Sequence, residues 1–413
     1  MSPTALPASA DVVVVGGGIW GAATAEALRR HHGADVVVLE RGSLSAATTS
    51  HGAALMPRAR SSATLRVMVR ETYAAIAHLE SALDEDLQLH RVGALHVASS
   101  EATRAALQAQ VDAAHAEGDR ADWLTADTVR AKVPWMTADP DWRYAFFPDD
   151  GFIDPYRLGT AYARAAKQAG AAIHQGVAVT GLTLNGHRVT GVETTAGRIA
   201  CGVVVCAAGP WSALVGQWAG ASLPLAPVRS HYWITAPDEQ RFPRDQVMVF
   251  IPDGRFYSRP EVGGLLYGFR DRVCVAADPR VYPADPAGFA FGHDDHGWES
   301  LHEALQAFRP YWDGLGDVPV AHYISAASGY TPDGQFVIGA WPGVDGFVAA
   351  TGCSGAGIAA SGGVGRAAAA LAAGAPAPWD LSAFRPDRFG PVDPVDPAFL
   401  QRCADARANK RAG

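Results

Sequence analysis

The sequence predicts a fold of the α/β (α+β) class, in which a discontinuous Rossmann-like domain is combined with a mixed-sheet domain. Three observations support this prediction. A βαβ pattern with a glycine turn opens the chain, two later segments repeat the alternation of apolar runs and small-residue helical stretches, and the segments between them hold aromatic and β-branched residues in short runs. A chain of 413 residues, 48% of them hydrophobic, is long enough for one large or two interlocked domains.

The opening unit is "DVVVVGGGIWGAATAEALRRHHGADVVVLE", from Asp11 to Glu40. Its glycines follow the pattern Gly16-x-Gly18-x-x-Gly21. The first permits a tight turn, the second lets a pyrophosphate approach the backbone, and the third lets helix and strand pack closely. Glu40 ends the second apolar run, where a carboxylate accepts hydrogen bonds from an unphosphorylated adenosine ribose. The pattern therefore indicates a dinucleotide site and leaves the choice between NAD and FAD open.

The domain organisation follows from these patterns. We expect residues 1–90, 150–225 and 320–385 to form the nucleotide-binding domain, residues 90–150 and 225–320 to form a sheet-based substrate domain, and residues 385–413 to form a C-terminal tail. Asp154 in "GFIDP" is expected to cap the helix that follows it.

Composition and charge narrow the function. The net charge of −8 arises from 34 basic and 42 acidic residues without a long basic run, so neither nucleic acid nor a membrane is an expected partner. A small organic substrate is expected instead. The amino-terminal stretch lacks the features of a secretion signal, and we expect a cytoplasmic protein. The five cysteines show no metal-type clustering, so we expect reduced thiols and no metal site.

Several stretches together resemble the FAD-dependent amine oxidoreductases of the D-amino-acid oxidase superfamily, which includes glycine oxidase, sarcosine oxidase and dimethylglycine dehydrogenase. The resemblance covers nearly the whole chain. It is carried by "VVVVGGGIWG", "DDGFIDPYRL", "VVCAAGPWS", "YSRPEVGGLLYG", "TPDGQFVIG" and "GCSGAGIAASGGVGRA". It implies FAD as the cofactor and oxidation of the C–N bond of a small secondary or tertiary amine or an amino acid. The expected mechanism is hydride transfer to flavin N5, followed by hydrolysis of the imine product.

The motif and the resemblance together assign the cofactor-binding residues. In the late glycine cluster, backbone N–H groups and the positive end of a helix can stabilise negative charge on a reduced flavin. The alternative is that these glycines serve only close helix packing. The expected cofactor-binding residues are Gly16, Gly18, Gly21, Glu40, Arg41, Ser50, His51, Val179, Ala208, Gly209, Gly352, Gly355, Gly357 and Ile358.

His51 in "TTSHGAAL" matches the histidine that is covalently joined to flavin in dimethylglycine and sarcosine dehydrogenases, although Ser50 replaces the tryptophan of that motif. The same stretch also resembles monomeric sarcosine oxidase, whose histidine is not the attachment point. That oxidase attaches FAD through a cysteine, and the equivalent position here is Ala326. Three roles for His51 therefore stay open: a covalent link, a noncovalent neighbour of the flavin, and packing.

The resemblance also identifies two missing lysines. Monomeric sarcosine oxidase uses one lysine for oxygen activation and another to bind the substrate carboxylate, and the equivalent positions here are Leu266 and Ala359. Since a local cation favours reaction with oxygen, its loss at Leu266 favours a dehydrogenase with another electron acceptor over an oxidase. Arg58 in "MPRAR" is a candidate carboxylate ligand because a guanidinium binds a planar anion through two hydrogen bonds.

Further candidates for catalysis lie on the middle strands, namely His231 in "PVRSHYWIT" and Tyr257 and Arg259 in "FYSRPE". Alternate residues of a strand share a face, so Tyr257 and Arg259 are expected to point into one pocket. The alternative is that they belong to the core or to a solvated edge. Two other functions stay open as well: an FAD-dependent hydroxy-acid or alcohol dehydrogenase, and a flavin-bearing subunit of a larger electron-transfer complex.

Overall fold

A computed structural model describes residues 5–243, 245–286, 288–292 and 294–410 of the chain. Within these residues, two eight-stranded sheets and a two-stranded ribbon form the framework, and helices cover the first sheet. The mixed α/β fold class is confirmed. No helix in the described ranges is both long enough and apolar enough to span a membrane.

Single strands alternate with helices in parts of the chain, and runs of three or four consecutive strands occur in others. The strands are β1 (Ser9–Val15), β2 (Val36–Glu40), β3 (Leu55–Met56), β4 (Ala94–Ala98), β5 (Asp122–Leu124), β6 (Arg143–Phe147), β7 (Gly151–Phe152), β8 (Ala172–Gln175), β9 (Val179–Asn185), β10 (Arg188–Thr194), β11 (Gly197–Cys206), β12 (Ala226–Thr235), β13 (Met248–Ile251), β14 (Phe256–Glu261), β15 (Gly264–Phe269), β16 (Val320–Tyr330), β17 (Val337–Ala340) and β18 (Phe347–Thr351). The helices are α1 (Ile19–His32), α2 (Ala63–Leu83), α3 (Glu101–Ala116), α4 (Ala126–Lys132), α5 (Pro155–Gln168), α6 (Ser212–Gln217), α7 (Trp298–Phe308), α8 (Ser361–Ala372) and α9 (Pro397–Ala408).

The first sheet has the order β17-β18-β11-β1-β2-β8, with β9 and β10 attached to β11. Strand β1 pairs in parallel with β11 and β2. Its residues Val12 to Val15 are buried because helices and other segments cover both faces of the sheet. The predicted βαβ unit is therefore confirmed, with Glu40 as the last residue of β2. Asp154 is also confirmed as a cap, because its side chain accepts a hydrogen bond from the Arg157 N–H at the start of α5.

The second sheet has the order β16-β12-β15-β14-β13-β4-β6-β5. It is mixed because β13 and β4 run in parallel whereas the other pairs are antiparallel. One of its faces packs an aromatic core that includes Trp233, Phe256, Phe269 and Phe308. The opposite face contributes side chains to a cleft that separates the two sheets.

Two segments differ from the expected domain boundaries. Residues 320–330 form β16, which pairs along its length with β12 and so belongs to the second sheet, although the sequence placed them with the first. Residues 385–413 were expected to form a tail. Instead, α9 begins at an Asp396 cap, and Phe399 and Cys403 are buried against β12 and β16. The sequence gave only a weak signal for α9, because most of the residues that it buries, such as Cys403, Ala404 and Ala408, are small.

Close packing of α8 on α1 offers a test of this framework. A Cβ atom built at Gly365 would lie 2.7 Å from Ala23 C and Cβ on α1, so Gly365→Ala must force the helices apart. We expect the free energy of unfolding to fall by about 1–3 kcal/mol, as measured by chemical denaturation. Gly202→Ala is the matched control, since nothing lies within 4 Å of a Cβ atom at that position. Equal effects of the two substitutions would contradict the packing argument.

Candidate active site

A cleft lies between the two sheets, with unfilled space of about 1550 Å³ including its opening to solvent. From the first sheet it is lined by the turn after β1, the turn after β11 and the end of β18. From the second sheet it is lined by residues of β4, β12, β13, β14 and β16. The carboxyl ends of β1, β11 and β18 therefore meet the side chains of the second sheet, which is where open α/β sheets bind ligands.

The β1–α1 turn forms an open cradle at one end of the cleft. Gly16 has a φ of +109°, and a Cβ atom at Gly21 would lie 1.9 Å from the Gly16 carbonyl oxygen, so both positions require glycine. A Cβ atom at Gly18 would meet only Thr49 Oγ1, at 3.4 Å. The backbone at Gly18 is therefore open to a ligand, and the N-terminus of α1 presents N–H groups and a positive dipole end to it.

Glu40 lies beside this cradle. Its two carboxylate oxygens accept hydrogen bonds from the N–H groups of Gly17 and Gly42, each at 2.8 Å. Each oxygen has a second lone pair, so the carboxylate can still accept a ribose hydroxyl. Val177 lies next to it, with its N–H donating to the Glu40 carbonyl oxygen at 3.0 Å. Sequence reasoning chose Val179, which pairs with Thr194 in the β9–β10 hairpin and does not line the cleft.

His51 lines the middle of the cleft and is half-buried. Its Nδ1 lies 2.8 Å from the Ala47 carbonyl oxygen, with Ser50 Oγ 3.1 Å away. A carbonyl oxygen only accepts hydrogen bonds, so Nδ1 carries the proton of the neutral imidazole and Nε2 keeps its lone pair. Ser50 is outside the cleft lining, and its position beside Nδ1 makes it an orienting neighbour of His51.

The glycine loop before α8 forms the next part of the wall. Gly352 and Gly355 have φ values of +69° and +73°, and the Gly357 carbonyl accepts from Trp20 Nε1 at 2.8 Å. A Cβ atom at Gly355 would lie 2.5 Å from the Tyr330 hydroxyl. These three glycines line the cleft with Ile358, so close packing and cofactor binding are compatible here.

In the turn after β11, one of the two predicted cofactor-binding residues lines the cleft and the other does not. Gly209 has a φ of +56° and lines the cleft, whereas Ala208 beside it does not. Arg41 also lies outside the cleft lining, with its guanidinium carbon 3.8 Å from the centre of the Trp211 ring. Burial is the main reason why the pKa of Arg41 lies below its usual value.

The substrate side of the cleft is aromatic. Tyr232, Phe250 and Tyr257 line it, together with His96. His96 stacks on Phe250 at a ring distance of 4.8 Å, and burial lowers its pKa to about 3, so its imidazole is neutral at physiological pH. His96 Nε2 has no hydrogen-bond partner among the described residues. The sequence gave no signal for His96 because a single histidine in a buried strand is ordinary.

His231 also lines the cleft, but both of its nitrogens are bound to neighbouring side chains. Nδ1 lies 2.9 Å from the Tyr323 hydroxyl, and Nε2 lies 2.8 Å from Asp271 Oδ1. Arg407 on α9 donates to Asp271 Oδ2 at 3.1 Å. Burial alone would raise the pKa of Asp271, but Arg407, His231 and Arg229 together hold it well below its usual range. His231 therefore contributes to a buried network that joins the second sheet to α9.

Two predicted substrate residues do not point into the cleft. Arg58 pairs with Asp119 at 3.4 Å and lies over the Tyr73 ring, whereas Arg60, two residues further on, lines the cleft. Arg259 donates to the Ala53 carbonyl oxygen and pairs with Glu261 at 2.5 Å, so its charge is already neutralised. Of Tyr257 and Arg259, which the sequence placed on one pocket, only Tyr257 lines the cleft.

Positive charge reaches the cleft from positions that the sequence did not indicate. Leu266 is buried in β15, and Ala326 and Ala359 line the cleft without a charge or a thiol. Arg270, Arg407 and Lys410, however, line the same cleft together with Arg60. The electrostatic reason for favouring a dehydrogenase over an oxidase is therefore removed.

The geometry defines a class of protein. A dinucleotide cradle at the ends of parallel strands opens directly into a pocket with aromatic and cationic walls, which is the arrangement of a nucleotide-dependent oxidoreductase. The open backbone at Gly18, the carboxylate of Glu40 and the glycine loop before α8 fit FAD along the length of the cleft.

Comparison with known proteins gives the family. Residues 11–371 match the family DAO, described as FAD dependent oxidoreductase. The chain belongs to this family, which confirms the resemblance carried by its motifs, and FAD is the family's cofactor.

Relatives cover most of this chain. It is 29% identical to 4-methylaminobutanoate oxidase (formaldehyde-forming) of Paenarthrobacter nicotinovorans over 93% of its length, but spans 46% of that protein. It is 26% identical to mitochondrial dimethylglycine dehydrogenase of Mus musculus, covering 94% of this chain and 45% of the relative. The chain thus spans less than half the length of these curated relatives. The crystal structure of L-proline dehydrogenase from P. horikoshii shares the fold, with a TM-score of 0.81, 22% identity and coverage of 94% of this chain and 100% of the other.

The buried network around Asp271 is testable through stability. Asp271→Asn leaves the Arg407 charge without its carboxylate in a site where both side chains are at most 5% exposed. We expect the free energy of unfolding at pH 7 to fall by about 3 kcal/mol. Because the folded-state pKa of Asp271 lies below the unfolded value, the unfolded chain takes up the proton first. The contribution of the charge is therefore present at neutral pH and is lost as pH falls below about 4.

Denaturant titrations at several pH values measure this effect. The matched control is Asp313→Asn, because Asp313 pairs with Arg309 at a site where the two side chains are 72% and 70% exposed. An exposed pair of this kind is worth at most about 1 kcal/mol. A loss at Asp271 no larger than at Asp313 would show that the network does not hold α9 in place.

Proposed function

We propose that the protein uses FAD to oxidise the C–N bond of a small secondary or tertiary amine or an amino acid. One observation carries the proposal: the residues described as lining the cleft include Arg60, Arg270, Arg407 and Lys410 but no aspartate or glutamate. A cationic, carboxylate-free pocket disfavours an ammonium ion and so lowers the pKa of a bound amine. The neutral amine is the form whose carbon–hydrogen bond readily donates hydride.

The protein's own groups orient and desolvate the substrate. Tyr232, Phe250 and Tyr257 provide apolar surface around the amine, and the cations attract a carboxylate when the substrate carries one. Bound FAD supplies the two-electron acceptor for the hydride. No side-chain base is needed when hydride leaves directly from carbon. The imine product is released to water and hydrolysed.

The relatives are consistent with this substrate class. The names of 4-methylaminobutanoate oxidase and dimethylglycine dehydrogenase both describe enzymes that act on N-methylated amino acids. We extend that class to this chain as a proposal. The electron acceptor in this proposal is oxygen or another oxidant. The proposed location is the cytoplasm, which accords with the five cysteines, all of them unpaired thiols.

An anaerobic substrate panel tests the function. The flavin-loaded chain is mixed with N-methylglycine, N,N-dimethylglycine, proline and glycine, and with lactate and 2-hydroxyglutarate as hydroxy-acid controls. We expect the visible absorbance of the oxidised flavin to bleach with at least one amine and with neither hydroxy acid. Admitting air then reports whether oxygen reoxidises the flavin. Reduction by hydroxy acids alone, or by dithionite but no amine in a wider panel, would overturn the proposal.

We further propose that His51 is covalently joined to the flavin. The new N–C bond would replace a C–H bond of the flavin ring system, with the proton lost to solvent and the two electrons passed through the flavin to the electron acceptor. The hydrogen bond from Nδ1 to the Ala47 carbonyl leaves Nε2 as the nucleophilic nitrogen in the cleft. Acid precipitation should therefore leave the yellow chromophore on the polypeptide, and a peptide digest should place it on His51. His51→Ala should release the chromophore as free FAD. His78→Ala is the control, because His78 pairs with Glu26 away from the cleft. Release of FAD from the unaltered protein would leave His51 as a noncovalent neighbour.

A further inference from the structure

Several hydrogen bonds hold the segment at the end of α9, residues 408–410, against the cleft. Lys410 Nζ donates to the Ser354 carbonyl oxygen in the glycine loop at 2.5 Å. Arg270, which follows β15, donates to the Lys410 carbonyl oxygen at 2.7 Å. Arg255 donates to the Ala408 carbonyl oxygen at the end of α9. The backbone around Lys410 is thus held from two sides, and its ammonium lies at the boundary between the glycine loop and the substrate side.

Three of the four cations in the cleft have no carboxylate partner. Arg407 is neutralised by Asp271. Among the described residues, no carboxylate lies within the 4.0 Å ion-pair distance of Arg60, Arg270 or Lys410. Arg60 is only 9% exposed, and its Nε donates to the Pro57 carbonyl oxygen. Placing the buried Arg60 and the half-buried Arg270 and Lys410 in one cleft without an ion-pair partner is unfavourable, so the cleft favours a ligand that brings negative charge.

The number of cations indicates how much negative charge the ligand brings. One carboxylate would neutralise one of the three charges and leave two cations in mutual repulsion. Two carboxylates would neutralise two, and the remaining cation would favour negative charge on the adjacent flavin. The chain as a whole has a net charge of −8, so the cationic lining of the cleft is opposite in sign to the charge of the whole protein.

We propose that the C-terminal segment completes the substrate site, and that Lys410, Arg270 and Arg60 select an amino acid carrying two carboxylates. This inference rests on the proposed function, because it names the substrate class of the same cleft. Lys410 is the specificity-determining residue of the three, since it is the one that α9 delivers to the glycine loop.

The surroundings of Lys410 make this selection depend on pH. Burial, followed by the positive charges of Arg270, Arg60 and Arg407, lowers the pKa of Lys410 to about 7. The Cys353 and Tyr330 side chains stay neutral near pH 7 because burial raises their pKa values. Asp150 faces Arg60 and also titrates, with a pKa raised by burial to about 7. Lys410 therefore changes from charged to neutral as pH rises through 7, and a dianion is held more tightly below that pH.

Equilibrium binding of carboxylates that cannot be oxidised tests the proposal without turnover. Succinate and glutarate are compared with propionate and butyrate by the perturbation that they cause in the absorption spectrum of the flavin-loaded protein. We expect the dicarboxylates to bind at least about tenfold more tightly at pH 6.5, and their Kd to rise by at least about tenfold at pH 8.5. Lys410→Met should remove most of the preference and the part of the pH dependence that exceeds the titration of Asp150, whereas Lys410→Arg should keep the preference and lose that same part of the pH dependence.

Lys167→Met is the control, because Lys167 is an exposed residue of α5 and one of only three lysines in the chain. Its binding should match the unaltered protein, and unchanged thermal unfolding of Lys410→Met would show that α9 stays folded. Equal affinities for mono- and dicarboxylates, or an unchanged preference in Lys410→Met, would overturn the inference. If dicarboxylates bind as expected but no amine reduces the flavin, the dicarboxylate selectivity of the cleft stands and the proposed amine oxidation fails. If monocarboxylic amino acids reduce the flavin and dicarboxylates are not preferred, the proposed function stands and the selectivity fails.

Discussion

The close approach of backbone to backbone at the β1–α1 turn is the constraint on which the rest of the structure depends. A Cβ atom at Gly21 would lie 1.9 Å from the Gly16 carbonyl oxygen, so α1 can meet the end of β1 only when that position is glycine. This contact fixes the N-terminus of α1. From α1, Ile19 N–H donates to Thr49 Oγ1 and Trp20 donates to the Gly357 carbonyl oxygen, so the segment that carries His51 and the glycine loop before α8 are positioned by the same turn. One steric requirement thus aligns three widely separated parts of the cleft.

The charge of the cleft is opposite in sign to the net charge of the chain. Acidic residues outnumber basic ones, yet the cleft is lined by cations and by no described carboxylate. Two carboxyl groups near the cleft, those of Asp271 and Asp150, bond to other groups and do not line it. Asp271 is committed to Arg407 and His231, and Asp150 accepts from the Arg58 N–H. The pocket therefore keeps unneutralised positive charge in a place where water has limited access, and electrostatic interactions with a ligand are correspondingly strong.

The nucleotide half of the site could be predicted from the sequence, whereas the substrate half could not. Glycines with fixed spacing, a strand and a terminal acid form a local pattern, so Gly18 and Glu40 were identified correctly as neighbours of one turn. Arg58 and Arg60 stand in an irregular stretch without helical or strand periodicity, and nothing local decides which of them faces the cleft. Lys410 lies 56 residues from Ser354 along the chain, and only the docking of α9 brings the two together. Such a contact between distant parts of the chain produces no periodic pattern in the sequence, so the sequence could not predict it.

The position of α9 joins stability to specificity. Arg407 and Lys410 are three residues apart, and the first is held by Asp271 inside the protein while the second lines the cleft. The hydrogen bonds of His231 and Arg407 to Asp271 connect β12 to α9. This connection positions α9 on β12 and, through α9, positions the Lys410 ammonium. If Asp271 were lost, Arg407 would add a fourth unpaired cation to the cleft and would press Lys410 toward its neutral form. The carboxylate of Asp271 thus controls the charge of a pocket that it does not line.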